Sequence, residues 1–161
     1  MISSRKPSHV GGAIYGGIVM LATVGALSED DAVGPGRMLF ITITTVLVFW
    51  IAHAFSETIE LHASADQTLP WRAAEPILRA EWSIVQAALP AVIGLGLAAL
   101  GIFGRGAGVN LTLALGLAEL FGWGLFTSRR AGRDFMHSVP TALLFTVLGV
   151  GIVLLKVAVA H

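Results

Sequence analysis

Apolar residues in this chain gather into five long runs instead of alternating with polar ones. The runs cover residues 10–27, 38–61, 84–103, 109–127 and 139–159. A helix needs about 20 mostly apolar residues to cross a hydrocarbon core of roughly 30 Å, and each run is close to that length. A membrane barrel would show strands of only about 10 residues with alternating character. The pattern predicts an all-α fold: a polytopic transmembrane helical bundle of five membrane-spanning helices, making one domain over residues 1–161.

The breaks carry turn chemistry. Ser28-Glu29-Asp30-Asp31 and Gly34-Pro35-Gly36 separate the first two runs, and Gly104-Arg105-Gly106-Ala107-Gly108 reads as a tight hairpin between the third and fourth. Residues 128–134 join the last pair. The longest connection, 62–83, holds Pro70-Trp71-Arg72 and Leu78-Arg79-Ala80-Glu81-Trp82. Tryptophan and arginine settle at the membrane–water interface, so this segment is expected to lie there on the cytoplasmic side.

Orientation follows from the cations. With the N-terminus inside, Arg5, Lys6, Arg72, Arg79, Arg129, Arg130 and Arg133 are cytoplasmic, against Arg37, Arg105 and Lys156 outside. Seven against three predicts N-in, C-out. The first run also imitates a signal peptide, with a basic start and Ala26-Leu27-Ser28 before an acidic stretch. It is read as an uncleaved signal-anchor helix.

Composition narrows the classes. Of 161 residues, 55% are hydrophobic and 12% charged, and the mean hydropathy is +0.81. A soluble domain of this size leaves roughly 30% of its unfolded surface wet and cannot hide so much apolar side chain. Ten basic residues balance ten acidic ones, which leaves no electrostatic footprint for nucleic acid. The absence of cysteine removes disulfides, thiolate metal sites and thiol nucleophiles.

Charges within a span cost about 2.5–3.5 kcal/mol on insertion scales, so each one needs a reason. In the second run His53, Glu57 and Glu60 share a narrow helical stripe bordered by Ser56 and Ser64. Counting from Met38 places His53 roughly 22 Å down, in the inner leaflet. The stripe reads as an ion or proton path, with His53 as the titrating relay and Glu57 and Glu60 as an acidic mouth. The plainer alternative is that the two glutamates pair with Arg72, Arg79, Arg129 or Arg130 at the surface.

Glu119 lies about ten residues into the fourth run, near the bilayer midplane, on a face with Thr112, Gly116 and Trp123. No basic residue has comparable depth in any span. The carboxyl must therefore be protonated, hydrogen-bonded, paired with His53 or solvated by a cavity. Glu81, Gln86, Asp134 and His137 gather at the same inner end and suggest a wet acidic vestibule, although helix ends are commonly polar. A metal ion is signalled only by His53 and Glu57, with Asp134-x-x-His137 the one carboxylate–histidine pair of di-iron spacing. His-Glu-x-x-His is absent, and His53 is the only histidine well inside a span. No cofactor is implied.

Small residues line two faces. Gly12-x-x-x-Gly16 in the first run and Gly94-x-x-x-Ala98 in the third permit close backbone contact, either within the bundle or with a homo-oligomer or complex partner. Pro90 sits about a turn and a half inside the third run and is expected to kink it.

The segment Val48-Phe49-Trp50-Ile51-Ala52-His53-Ala54-Phe55-Ser56-Glu57, with Ala13-Ile14-Tyr15-Gly16, Trp123-Gly124-Leu125, Arg129-Arg130-Ala131-Gly132 and a C-terminal apolar helix carrying Lys156, resembles small integral membrane proteins of high-GC actinobacteria. The resemblance implies a multi-pass protein of the bacterial plasma membrane with five helices. It carries no catalytic residue and no assigned activity. The leading expectation is conduction or coupling of a proton or small cation, not catalysis. A non-catalytic accessory or scaffold subunit is the first alternative, and a metal-binding membrane oxidoreductase the second.

Overall fold

A computed structural model describes residues 9–65 and 74–159, and the described residues form helices and short turns without any strand. The helices are α1 His9–Ser28, α2 Pro35–Ala65, α3 Ala74–Ala80, α4 Trp82–Gln86, α5 Leu89–Ala99, α6 Arg105–Arg130 and α7 Phe135–Val159. Of these, α1, α2, α6 and α7 are long and apolar enough to cross a membrane. A fifth crossing exists if Glu75–Gln86 and Leu89–Ala99, bent by 50° at their junction, count as one broken span. Arg5, Lys6 and Arg72 lie outside the described residues, as do the side chains of Ser64 and Lys156.

The third run is the main correction to the sequence reading, which drew one helix over 84–103. The helix breaks after Gln86 and resumes at Leu89. Pro90 is the cause: its ring clashes with a preceding helical turn and it has no N–H for the Gln86 carbonyl. In the first turn of a new helix the same ring is well tolerated. The run also ends early, at Ala99. Gly101 takes φ 76° while its N–H donates to Ala98 O and that of Ile102 to Leu97 O, both at 3.0 Å. This is a Schellman stop, which needs the left-handed conformation that glycine adopts freely. The hairpin predicted at 104–108 therefore moves to 100–104, and Gly108 is buried within α6.

The other helices overrun their apolar cores. α2 begins at Pro35, at a position where the N–H that proline lacks would be unpaired anyway, and α6 and α7 each start four residues before the apolar run.

The helix α1 is the axis of the bundle. Half of its membrane window is buried, against 17–28% for the other long helices. It packs on α2, α4, α6 and α7, with Met20, Leu21 and Val24 fully enclosed. The broken span changes neighbours at the bend: α4 packs on α1, whereas α5 sits between α2 and α6. The small faces of the sequence are consumed at these seams. Gly12 and Gly16 meet Ser83 and Ile84 of α4 and Ala87 just beyond it, and Gly94 meets Gly108 and Thr112 of α6. Phe40, Ile51, Leu144 and Val147 project outward. Such an apolar exterior would be an aggregation surface in water and is the natural face toward lipid chains.

One cation closes the end of the bundle opposite His53. Arg105 Nε donates to Val33 O at 3.1 Å, and Nη2 donates to Ser28 O at 3.0 Å and Asp30 O at 2.8 Å. Nη1 reaches Asp31 Oδ1 at 3.1 Å. The guanidinium thereby caps the carbonyl end of α1, where a cation is favoured.

Candidate functional site

Three helices and one turn assemble the polar cluster around His53. Trp50, one turn earlier on α2, donates its Nε1–H to Leu78 O of α3 at 3.1 Å. Its ring meets that of Trp82 edge-on, centroids 5.4 Å apart. The two indoles thus clamp the turn between α3 and α4 onto α2. Glu81 occupies that turn, its N–H donating to Ile77 O at 2.9 Å and its carbonyl accepting from Ile84 at 3.0 Å. The side chain points back at His53, with Oε2 3.5 Å from Nε2.

Glu81 is only 8% exposed, whereas the His53 side chain is 41% exposed. A carboxylate buried to that degree needs a partner, because its lost hydration is not otherwise replaced. Among the described residues His53 is the one cation-forming group paired with it. On the other side the imidazole stacks on Tyr15 of α1, 5.9 Å between centroids and 26° between planes, and Tyr15 meets Phe49 edge-on at 5.8 Å. The histidine is held between the Glu81 carboxyl and the ring of Tyr15.

Gly12 makes this approach fit. A Cβ there would stand 2.6 Å from Ser83 Oγ and 3.0 Å from Glu81 Oε2. Ser83 Oγ is buried with no hydrogen-bond partner among the described residues, so nothing else anchors that side. Gly12→Ala is expected to cost about 1–3 kcal/mol through overpacking. Thermal unfolding in detergent would show it as a lowered midpoint, while Gly122→Ala, with open space around its added carbon, leaves the midpoint nearly unchanged.

The remaining predicted site residues fall into different places. Glu57 is half-buried and Glu60 exposed toward the C-terminal end of α2, and neither forms an ion pair among the described residues. Arg79, one proposed partner for them, is bound to Glu75 at 2.6 Å, and Arg130 lies over the Phe126 ring at 5.2 Å. Gln86 is exposed at the break. Asp134 and His137 are exposed at the start of α7, a helix that packs on α6 and α1. Asp134 contributes its backbone carbonyl, which accepts from Ser138 Oγ at 2.9 Å. Of the four vestibule candidates only Glu81 joins His53.

Glu119 has a partner within its own helix. Trp123 Nε1 donates to Oε1 at 3.3 Å, while Oε2 is buried and unpaired among the described residues. α1 stands between Glu119 and His53: Tyr15 faces His53, Gly16 packs on α4, and Gly17 packs on Leu120 beside Glu119. No described interaction joins the two. Among the described residues no three histidines, aspartates or glutamates converge as metal ligands. Tyr15 and Ser83 are the members that sequence reasoning did not single out. Tyr15 is the only tyrosine and lies one turn from Gly12, the one available hint.

Comparison with known protein families, with curated proteins and with solved structures finds no match to this chain.

Proposed function

We propose that this is a five-span protein of the bacterial plasma membrane, N-in and C-out, that couples or passes a proton through the His53–Glu81 pair. The orientation rests on the distribution of arginine and lysine, with the broken span counted as one crossing. The observation that carries the function is a nine-tenths-buried carboxyl whose described ionic partner is a half-exposed histidine on a neighbouring helix. A proton arriving on His53 completes the ion pair and a proton leaving breaks it. Proton occupancy is thereby linked to how the α3–α4 turn sits on α2. Glu57 and Glu60 continue the stripe toward the cytoplasm as an acidic mouth, while Glu119, across α1, stands apart from this path.

Beyond Phe49 the route outward is a groove of about 340 Å³ between α1 and α2, lined by Val19, Thr23, Ala26, Ile41 and Thr45. The Thr23 hydroxyl is already committed to Val19 O at 2.8 Å. An apolar lining of this kind resists a continuous water file, which favours gated coupling over an open pore. Proton flux into liposomes carrying the purified protein tests the reading. Flux is expected from the wild type and to fall at least about tenfold in His53→Ala and in Glu81→Gln, a loss in keeping with removal of a positioned proton carrier. Absence of flux from folded wild type, or undiminished flux in both variants, would overturn it.

A second reading is favoured by the exposure of Tyr15 and of the His53 side chain, 40% and 41%, on the outside of the bundle. An accessory subunit would offer that face to a helix of another protein, and absence of flux would point there.

A further inference from the structure

The clamp beside the candidate site has a second side. Trp50, Leu78 and Trp82 form the walls of a groove of about 350 Å³, and Glu75 and Arg79 stand at its rim. The walls are rigid, because the Trp50 N–H is bound to Leu78 O and the two indoles meet edge-on. The rim carries one charge of each sign. Arg79 Nη2 and Glu75 Oε1 are 2.6 Å apart, with both side chains largely in solvent at 79% and 63% exposure. Trp82 is itself half-exposed, 47%, at the N-terminal part of the broken span.

We infer that this groove seats a single phospholipid with a zwitterionic headgroup. Such a headgroup carries a phosphate and an ammonium a few ångströms apart, the mirror of the Arg79–Glu75 pair. The phosphate oxygens accept from the guanidinium, which is built for that contact. The ammonium donates to the Glu75 carboxylate. The glycerol backbone and upper acyl chain lie against Leu78 and the indole faces, where tryptophan is favoured at membrane interfaces. An anionic headgroup without an ammonium draws Arg79 to its phosphate but supplies no cation to take that place beside Glu75. Charge complementarity therefore selects the zwitterion. The lipid buttresses the same turn that presents Glu81, so this site stands independently of whether the His53 pair moves protons.

Thermal unfolding of the full chain in detergent, with added phosphatidylethanolamine or phosphatidylglycerol of matched acyl chains, tests the assignment. Phosphatidylethanolamine is expected to raise the midpoint at several-fold lower concentration than phosphatidylglycerol. Glu75→Gln, a change at a solvent-facing position, is expected to narrow or reverse that preference, and Trp82→Ala to weaken the response to both lipids. Equal responses to the two headgroups, no response to either, or a preference unchanged in Glu75→Gln would each overturn it. The Glu75 variant decides the matter even if Trp82→Ala fails to fold. Proton flux plays no part in the readout, so failure here leaves the proton reading untouched.

Discussion

Gly94→Ala is expected to destabilise the protein by about 3 kcal/mol, at the upper end of overpacking costs, or to prevent folding altogether. The added carbon would lie 2.6 Å from Gly108 O and 2.7 Å from Thr112 N, and it would also strike Thr112 Oγ1. Two of these three atoms belong to the α6 backbone and cannot rotate away. Relief requires α5 and α6 to separate along the seam where a Cβ on Gly108 would likewise stand 2.8 Å from Gly94 O. In a bilayer this is the contact that matters, because lipid chains are as apolar as leucine and helices associate through close packing. Gly96→Ala, whose nearest neighbour is 4.0 Å away, is the matched control and is expected to be neutral or stabilising, since alanine is the better helix former. Unfolding midpoints of the two variants in detergent would check both signs. Equal midpoints would mean that the α5–α6 seam is not held as closely as described.

Arg105→Ala is expected to have a comparable effect, about 2–4 kcal/mol, by releasing several charge-assisted hydrogen bonds at once. The carbonyls of Ser28, Asp30 and Val33 lose the donor that gathers them, and the α1–α2 connection loses its tie to α6. Arg105→Lys is expected to recover only part of the loss. An ammonium carries no forked set of donors and cannot reach Val33 and Asp30 together. The Asp31 contact contributes little, because that side chain is almost fully in solvent and exposed ion pairs are weak. Asp31→Asn should therefore leave the unfolding midpoint nearly where it is. A large effect of Asp31→Asn with a small one of Arg105→Lys would show that the charge pair, and not the capping of α1, holds this end.

The helical class and the long apolar helices were legible from local chemistry. Pro90 was expected to kink the third run; the helix breaks there outright, because a missing N–H and a ring clash act on the neighbouring turn. Gly12-x-x-x-Gly16 was recognisable as a seam, since only the absence of side chains lets backbones approach. The early stop at Ala99 was harder to see. Ile102 and Phe103 keep the segment apolar after the helix has ended, and apolar character alone does not report backbone conformation.

The partners of the polar side chains required the tertiary structure. His53 was singled out for its depth, yet Glu57 on its own stripe looked the nearer acid. Glu81 meets it instead, because the break at Pro90 and the tryptophan clamp turn a distant stretch of chain back onto α2. Glu119 and His53 have similar polar signatures, and α1 keeps them apart. Arg105 looked like a loop charge and is the keystone of one end of the bundle.

The division has one physical source. In water, hydrophobic periodicity reveals which face of a helix is buried, because only the inner face is apolar. In a membrane the lipid-facing and neighbour-facing sides are both apolar, so periodicity reports that a helix spans but is silent about what each side touches. Residues that act through their own backbone, such as Pro90, declare their effect locally. Residues that act across helices, such as Glu81, Glu119 and Arg105, acquire their roles only once the helices have packed.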